Sequence, residues 1–215
     1  QVFQRTDRYE AFEAIHDDRP HLPTGPELFL PERRNSRGFD LAHQPTLDAI
    51  EAARGPFAKT KWAAAPVLAG EARPEAPQPS GNPADAGDDP GTVAYASAAD
   101  IDTALEAARV WQAPAAERAE VLNRVADLYE ENYGELFAAI AREAGKSVLD
   151  SVAELREAVD FLRYYAANAP GAAPVGTFTC ISPWNFPLAI FTGQVSAALA
   201  AGNAVLAKPA EQSPI

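Results

Sequence analysis

A change of hydrophobic period near residue 175 constrains this chain more than any other feature. Before it, apolar residues recur at helical spacing; 175–181 instead read as a short apolar strand. Residues 187–201 return to a helical pattern that Gly202 ends, and 204–208 form a second apolar run. Strand, helix and strand within about 35 residues make a βαβ unit, whose two strands lie parallel in one sheet. The predicted class is α/β: a helical region leading into the opening of a parallel sheet.

Helices dominate the stretch ahead of that unit. Residues 92–96 are a strand candidate. Ser97 followed by Asp100 reads as a capping pair for a helix carrying Ile101, Ala104, Leu105, Ala108 and Trp111 on one face. Pro114 suits the first turn of the next helix, with Val121, Leu122, Val125, Leu128 and Tyr129 as its apolar stripe. The pattern resumes over 135–144 and stops at Gly145, a natural C-cap. A further helix over 148–167 turns Leu155, Val159, Leu162 and Tyr165 inward.

Signals thin out toward the N-terminus. Prolines at 20, 23, 26 and 31, with Arg33, Arg34, Asn35, Ser36 and Arg37, mark an irregular segment. A short helix is placed at 46–54, where Leu47, Ile50 and Ala53 share a face. Residues 70–91 hold five prolines and four glycines and almost no large apolar residue, which predicts a loop or linker. Residues 1–91 as a whole read as a surface arm.

Net charge of -12 and a pI near 4.7 leave no global basic field for nucleic acid or an anionic membrane. A small anionic substrate stays compatible, since a pocket can be locally positive. The single cysteine, Cys180, permits no intramolecular disulfide and predicts a reducing, cytoplasmic setting. The longest apolar stretch, near 186–201, is broken by Gln194 and Ser196 and is too short for a membrane span. Residues 1–10 are polar and charged, unlike a secretory leader. A first residue Gln and the absence of Met predict an excerpt of a longer chain. No metal site is assigned.

Two turns sit where chemistry is expected, at the carboxyl ends of parallel strands. The first is Ser182-Pro183-Trp184-Asn185-Phe186-Pro187. Its prolines restrict the backbone around Asn185, and a fixed amide donor there can stabilise a developing oxyanion. The plainer alternative is a Pro-rich turn in which Asn bonds its own backbone. The second is Lys208-Pro209-Ala210-Glu211, whose ammonium and carboxylate can both reach the hydroxyls of a ribose. The plainer alternative is an ordinary surface ion pair. No G-x-G-x-x-G follows the first strand, so the usual dinucleotide fingerprint is missing.

The run Cys180-Ile181-Ser182-Pro183-Trp184-Asn185-Phe186-Pro187-Leu188, with Ala200-Ala201-Gly202-Asn203 and Lys208-Pro209-Ala210-Glu211, resembles the aldehyde dehydrogenase superfamily. That family binds NAD without the glycine fingerprint. The resemblance implies Asn185 as the oxyanion-hole amide, Lys208 and Glu211 as adenosine-ribose contacts, and Ile181, Ser182, Pro183 and Trp184 as backbone lining the nicotinamide side. A closer resemblance is to the semialdehyde dehydrogenase half of the bifunctional proline utilization A enzymes. It is carried by Arg142-Glu143-Ala144-Gly145-Lys146, by Arg156-Glu157-Ala158-Val159-Asp160-Phe161-Leu162-Arg163-Tyr164-Tyr165, by Ile190-Phe191-Thr192-Gly193-Gln194 and by Ala210-Glu211-Gln212. Arg34-Asn35-Ser36-Arg37-Gly38-Phe39-Asp40-Leu41 resembles the stretch entering that domain from the proline dehydrogenase half.

The resemblance implies oxidation of L-glutamate γ-semialdehyde to L-glutamate with NAD+. It makes Glu157 the carboxylate facing the substrate's α-ammonium and Phe186 an aromatic wall on its aliphatic chain. Read alone, Glu157 is a solvated helix residue and Phe186 a core residue. Residues 1–91 are then a connecting arm from a preceding domain, and 92–215 the N-terminal part of an incomplete, Rossmann-like NAD-binding domain. FAD would belong only to a proline dehydrogenase domain outside this chain, and the parent would be a homo-oligomer. The family's nucleophilic cysteine, its general-base glutamate and the rest of the cofactor fold are expected beyond Ile215, so this chain alone is predicted inactive. Cys180 is not that nucleophile: it sits inside a strand with no neighbouring His or Lys in sequence to lower its pKa. The stretch 166–175 is shorter than the family's, which predicts a deletion or omitted residues between 168 and 175. The alternatives are another semialdehyde dehydrogenase of the superfamily, or a non-catalytic structural or dimerisation module.

Overall fold

The computed structural model describes residues 23–169 and 171–215. In chain order the elements are α1 (Gln44–Arg54), β1 (Trp62–Ala64), β2 (Gln78–Ser80), β3 (Gly91–Val93), α2 (Ala98–Ala107), α3 (Ala115–Glu131), α4 (Tyr133–Ala144), α5 (Val148–Asn168), β4 (Thr177–Ile181), α6 (Ala189–Ala200) and β5 (Ala204–Lys208). Residues 1–22 lie outside the described residues, and so does Pro170, within the junction where an interruption is expected.

Local chemistry explains where the helices start and stop. Ser97 accepts from the Asp100 amide while Asp100 reaches back to Ser97, and Ser147 and Asp150 repeat the arrangement at the start of α5. Gly145 ends α4 at a φ of 66°, a left-handed conformation that a Cβ would oppose. The core gathers Ile50, Leu122, Ala126, Phe137, Val152, Leu155, Val159, Leu162 and Ala200, with Tyr165 packed against its edge. α5 is thus the central helix, with α3 and α6 packed on it.

Several expectations need correction. The surface arm fails for its described part, since Ile50 is buried in the core and Ser36 lies against α5. The Ser36 amide and hydroxyl both donate to Asp160 at 2.8 Å. The Pro-rich stretch contains β2, which pairs antiparallel with β3, while β1 pairs parallel with β3 on its other side. Arg142 fixes this small sheet to α4: its guanidinium grips the Asp88 carboxylate at 2.8 and 3.0 Å and donates to the carbonyls of Phe57, Thr60 and Asp89. Hydrogen bonds from Arg142, and then from Asn82, hold the Asp88 carboxyl far below the usual range. The apolar stripe of α3 is Leu122, Val125, Ala126 and Tyr129, with Val121 and Leu128 exposed. On α2, Ile101 and Leu105 are exposed as well. That helix docks through its capped end, where buried Asp100 also accepts from the Arg73 amide at 2.6 Å.

The βαβ unit forms as expected. β4 and β5 run parallel in the register Thr177↔Ala204 to Ile181↔Lys208, joined by α6. Asn203 locks the unit together: its side-chain oxygen accepts from the amides of Val175 and Gly176, and its amide group donates to Ala198. Among the described residues no helix is long and apolar enough to cross a membrane.

Candidate active site

The register brings Ile181 and Lys208 abreast at the carboxyl ends of β4 and β5. Both turns singled out in the sequence therefore leave the sheet at the same edge. The Ser182 amide donates to Lys208 O at 3.1 Å, which fastens the first turn to the second strand. The hydroxyl of Ser182 is buried yet has no hydrogen-bond partner among the described residues. An orphaned polar group of this kind at a strand end is uncommon in a finished fold.

Asn185 and Phe186 sit at the outer part of the first turn and Asn185 is exposed. The Asn185 amide makes no hydrogen bond among the described residues, so it is not consumed by a local turn of its own. Ser213 Oγ donates to Trp184 O at 3.4 Å, and the Lys146 ammonium lies 4.4 Å from the Phe186 ring centroid. Phe186 is 37% exposed, which sets aside its reading as a core residue.

The remaining candidates fall into two groups. Lys208 and Glu211 are bonded to one another at 2.7 Å, exposed by 47% and 63%, and the ammonium keeps the Glu211 carboxyl below its ordinary pKa. This is the surface ion pair of the plainer reading, at the edge where the ribose reading also needs it. Glu157 lies on the exposed side of α5, where partial burial and the nearby Glu154 carboxylate raise its pKa against the opposing pull of Lys146. Lys146 thus links Phe186 and Glu157: its ammonium covers the ring of one and its charge is felt by the other. The groove bordered by Gly81, Asn82, Pro83, Glu143 and Gln212 includes Trp184 but neither Asn185 nor Glu157.

Cys180 is 6% exposed within β4, and burial pushes its thiol pKa up. A thiol in that state is a poor nucleophile.

One pair of residues had no role assigned from sequence. Glu154 is 1% exposed and forms an ion pair with Lys146. Its other oxygen accepts from the amides of Leu188 at 3.3 Å and Ala189 at 2.8 Å, where α6 begins. Helical spacing carried the signal, because Glu154 falls on the same face as Ser151, Leu155 and Ala158, all buried. A carboxylate on that face needs partners that the local sequence does not supply.

Residues 71–215 match the model of the aldehyde dehydrogenase family. The chain belongs to this family. It is 45% identical over 207 residues to the bifunctional protein PutA of Escherichia coli, covering 91% of this chain and 16% of that protein. Its fold matches PutA from Bdellovibrio bacteriovorus with a TM-score of 0.77 at 28% identity, over 90% of this chain and 22% of that one. A 1-pyrroline-5-carboxylate dehydrogenase from Thermus with bound NAD matches with a TM-score of 0.74 at 28% identity, over 84% of this chain and 40% of that one. The chain therefore spans about one sixth of the length of the E. coli protein. Its α/β architecture is that of an aldehyde dehydrogenase.

Proposed function

We propose that this chain is part of an enzyme that oxidises L-glutamate γ-semialdehyde to L-glutamate with NAD+. The observation that carries the reading is the 45% identity to PutA across 91% of the chain. The parent is then a bifunctional, cytoplasmic, homo-oligomeric protein, with any FAD held by a proline dehydrogenase domain outside this chain. The connection from that domain lies ahead of residue 71, where the family match begins.

In this reading the Asn185 amide donates to the aldehyde oxygen as negative charge develops on it. A donor so placed lowers the barrier because its dipole is already oriented when charge appears. Phe186 walls the substrate's aliphatic chain, and Glu157 receives its α-ammonium. NAD suits the residues present: Ser182 offers an unpaired hydroxyl, Ile181, Pro183 and Trp184 offer backbone beside it, and Lys208 with Glu211 offers a charged pair for ribose hydroxyls. Bound NAD+ supplies the hydride acceptor. The attacking thiolate comes from elsewhere in the parent, since Cys180 is buried in β4 and its thiol is held protonated.

The test is Asn185→Ala in the full-length protein. It is expected to lower kcat on the order of 100-fold, the usual cost of one oxyanion donor, with KM for NAD+ nearly unchanged. An unaltered kcat would show that the amide has no part in the chemistry.

A further inference from the structure

The turn that carries Asn185 is held from beneath by a group outside it. α6 opens at Leu188 and Ala189 with no side-chain cap of its own and no acidic residue in its first turn. Free amides at a helix start need acceptors, and negative charge there is favoured by the helix dipole. Both come from α5: Glu154 Oε2 accepts from the Leu188 and Ala189 amides. Its Oε1 binds Lys146, whose ammonium lies over the ring of Phe186. One buried carboxylate is therefore tied to the turn twice, at the backbone after Pro187 and, through Lys146, at the side chain next to Asn185.

We propose that Glu154, paired with Lys146, is the positioning residue that sets the Asn185-bearing turn at the height and angle the oxyanion requires. The inference rests on the reading of Asn185 as oxyanion donor. Glu154 touches no reacting atom. It fixes the start of α6, and Lys146 fixes Phe186, so the residue between Trp184 and Phe186 is left one setting relative to the strand end. Glu154→Gln keeps size and one acceptor oxygen but turns an NH2 group toward the Lys146 ammonium, which breaks the linkage on that side.

The experiment is a double-mutant cycle in the full-length protein, reading kcat and KM for the semialdehyde and for NAD+. Glu154→Gln is expected to lower kcat by roughly 10- to 100-fold, as small misplacements of a catalytic group do, with KM for NAD+ held within about twofold. In the Asn185→Ala background the same substitution is expected to cost almost nothing further, because the amide it positions is gone. An equal loss in both backgrounds, or an unchanged kcat for Glu154→Gln, overturns the proposal. If Glu154→Gln does not fold, Lys146→Met combined with Glu154→Gln removes both buried charges, leaves neither unpaired, and carries the same cycle. A kcat untouched by Asn185→Ala overturns the oxyanion reading and this inference together. A large Asn185→Ala effect with additive Glu154→Gln overturns this inference alone.

Discussion

Burial holds the Glu143 carboxyl near neutrality: its pKa is pushed up to about 7, even though it accepts from the Ile215 amide and from Ser80 Oγ. A folded pKa above the unfolded one means that the folded state binds the extra proton. Its stabilising effect is complete below about pH 4.5 and is lost as pH rises toward 7. Glu143→Gln, which keeps the acceptor oxygen without the charge, should therefore raise the melting temperature at pH 8 by several degrees, at about 2–4 °C per kcal/mol. The gap should shrink at pH 5, and a gap independent of pH would contradict the assignment. Glu143 and Glu154 share a lesson about legibility. The position of Asn185, Lys208 and Glu211 at one sheet edge was readable because each ends or closely follows a predicted strand. The surroundings of the two buried glutamates were not, because their partners come from other elements: Ser80 and Ile215 for one, Lys146 and the start of α6 for the other.

At the scale of elements, the sequence was readable wherever a helix or strand carries its own signal. The Ser97–Asp100 box, Gly145 and the βαβ unit are of this kind. The three-residue strands β1 and β2, the second within the Pro-rich stretch, carry none; they pair on either side of β3, next to which Arg142 grips Asp88. Periodicity likewise marks an apolar face on α2 without telling whether anything covers it. The packing of α6 on α5 depends on one small residue: a Cβ at Gly193 would lie 2.8 Å from the Phe161 ring. Gly193→Val should cost about 1–3 kcal/mol through overpacking, measured by denaturant unfolding. Because it also shifts α6, it should depress kcat in the full-length protein, whereas a neutral Gly193→Val would mean the ring has room to move.

For the whole molecule, the parallel pair β4–β5 is the least finished part. Parallel sheets are ordinarily covered on both faces, yet Phe178 and Ile181, on opposite faces of β4, are both exposed. At its carboxyl edge lie the proposed oxyanion donor and cofactor contacts, while the thiol of Cys180 is buried within β4. Residues 1–215 produced alone should therefore form no NADH from glutamate semialdehyde. NADH production above the protein-free blank would sink that expectation.

The buried Glu154 also has a consequence in time. It precedes Leu188, the first amide it receives, by 34 residues. Ribosomes add roughly 5–20 residues per second, so the carboxylate exists for seconds before its amides are made. In that interval Lys146, only eight residues upstream, is already available to neutralise it. If α3 and α5 fold first, they present a charged socket with one oxygen unused, and the turn is caught on arrival rather than shaping itself. Pulse-labelled hydrogen exchange during refolding should protect the amides of α3 and α5 before those of Leu188 and Ala189. Simultaneous protection would mean that socket and turn form as one.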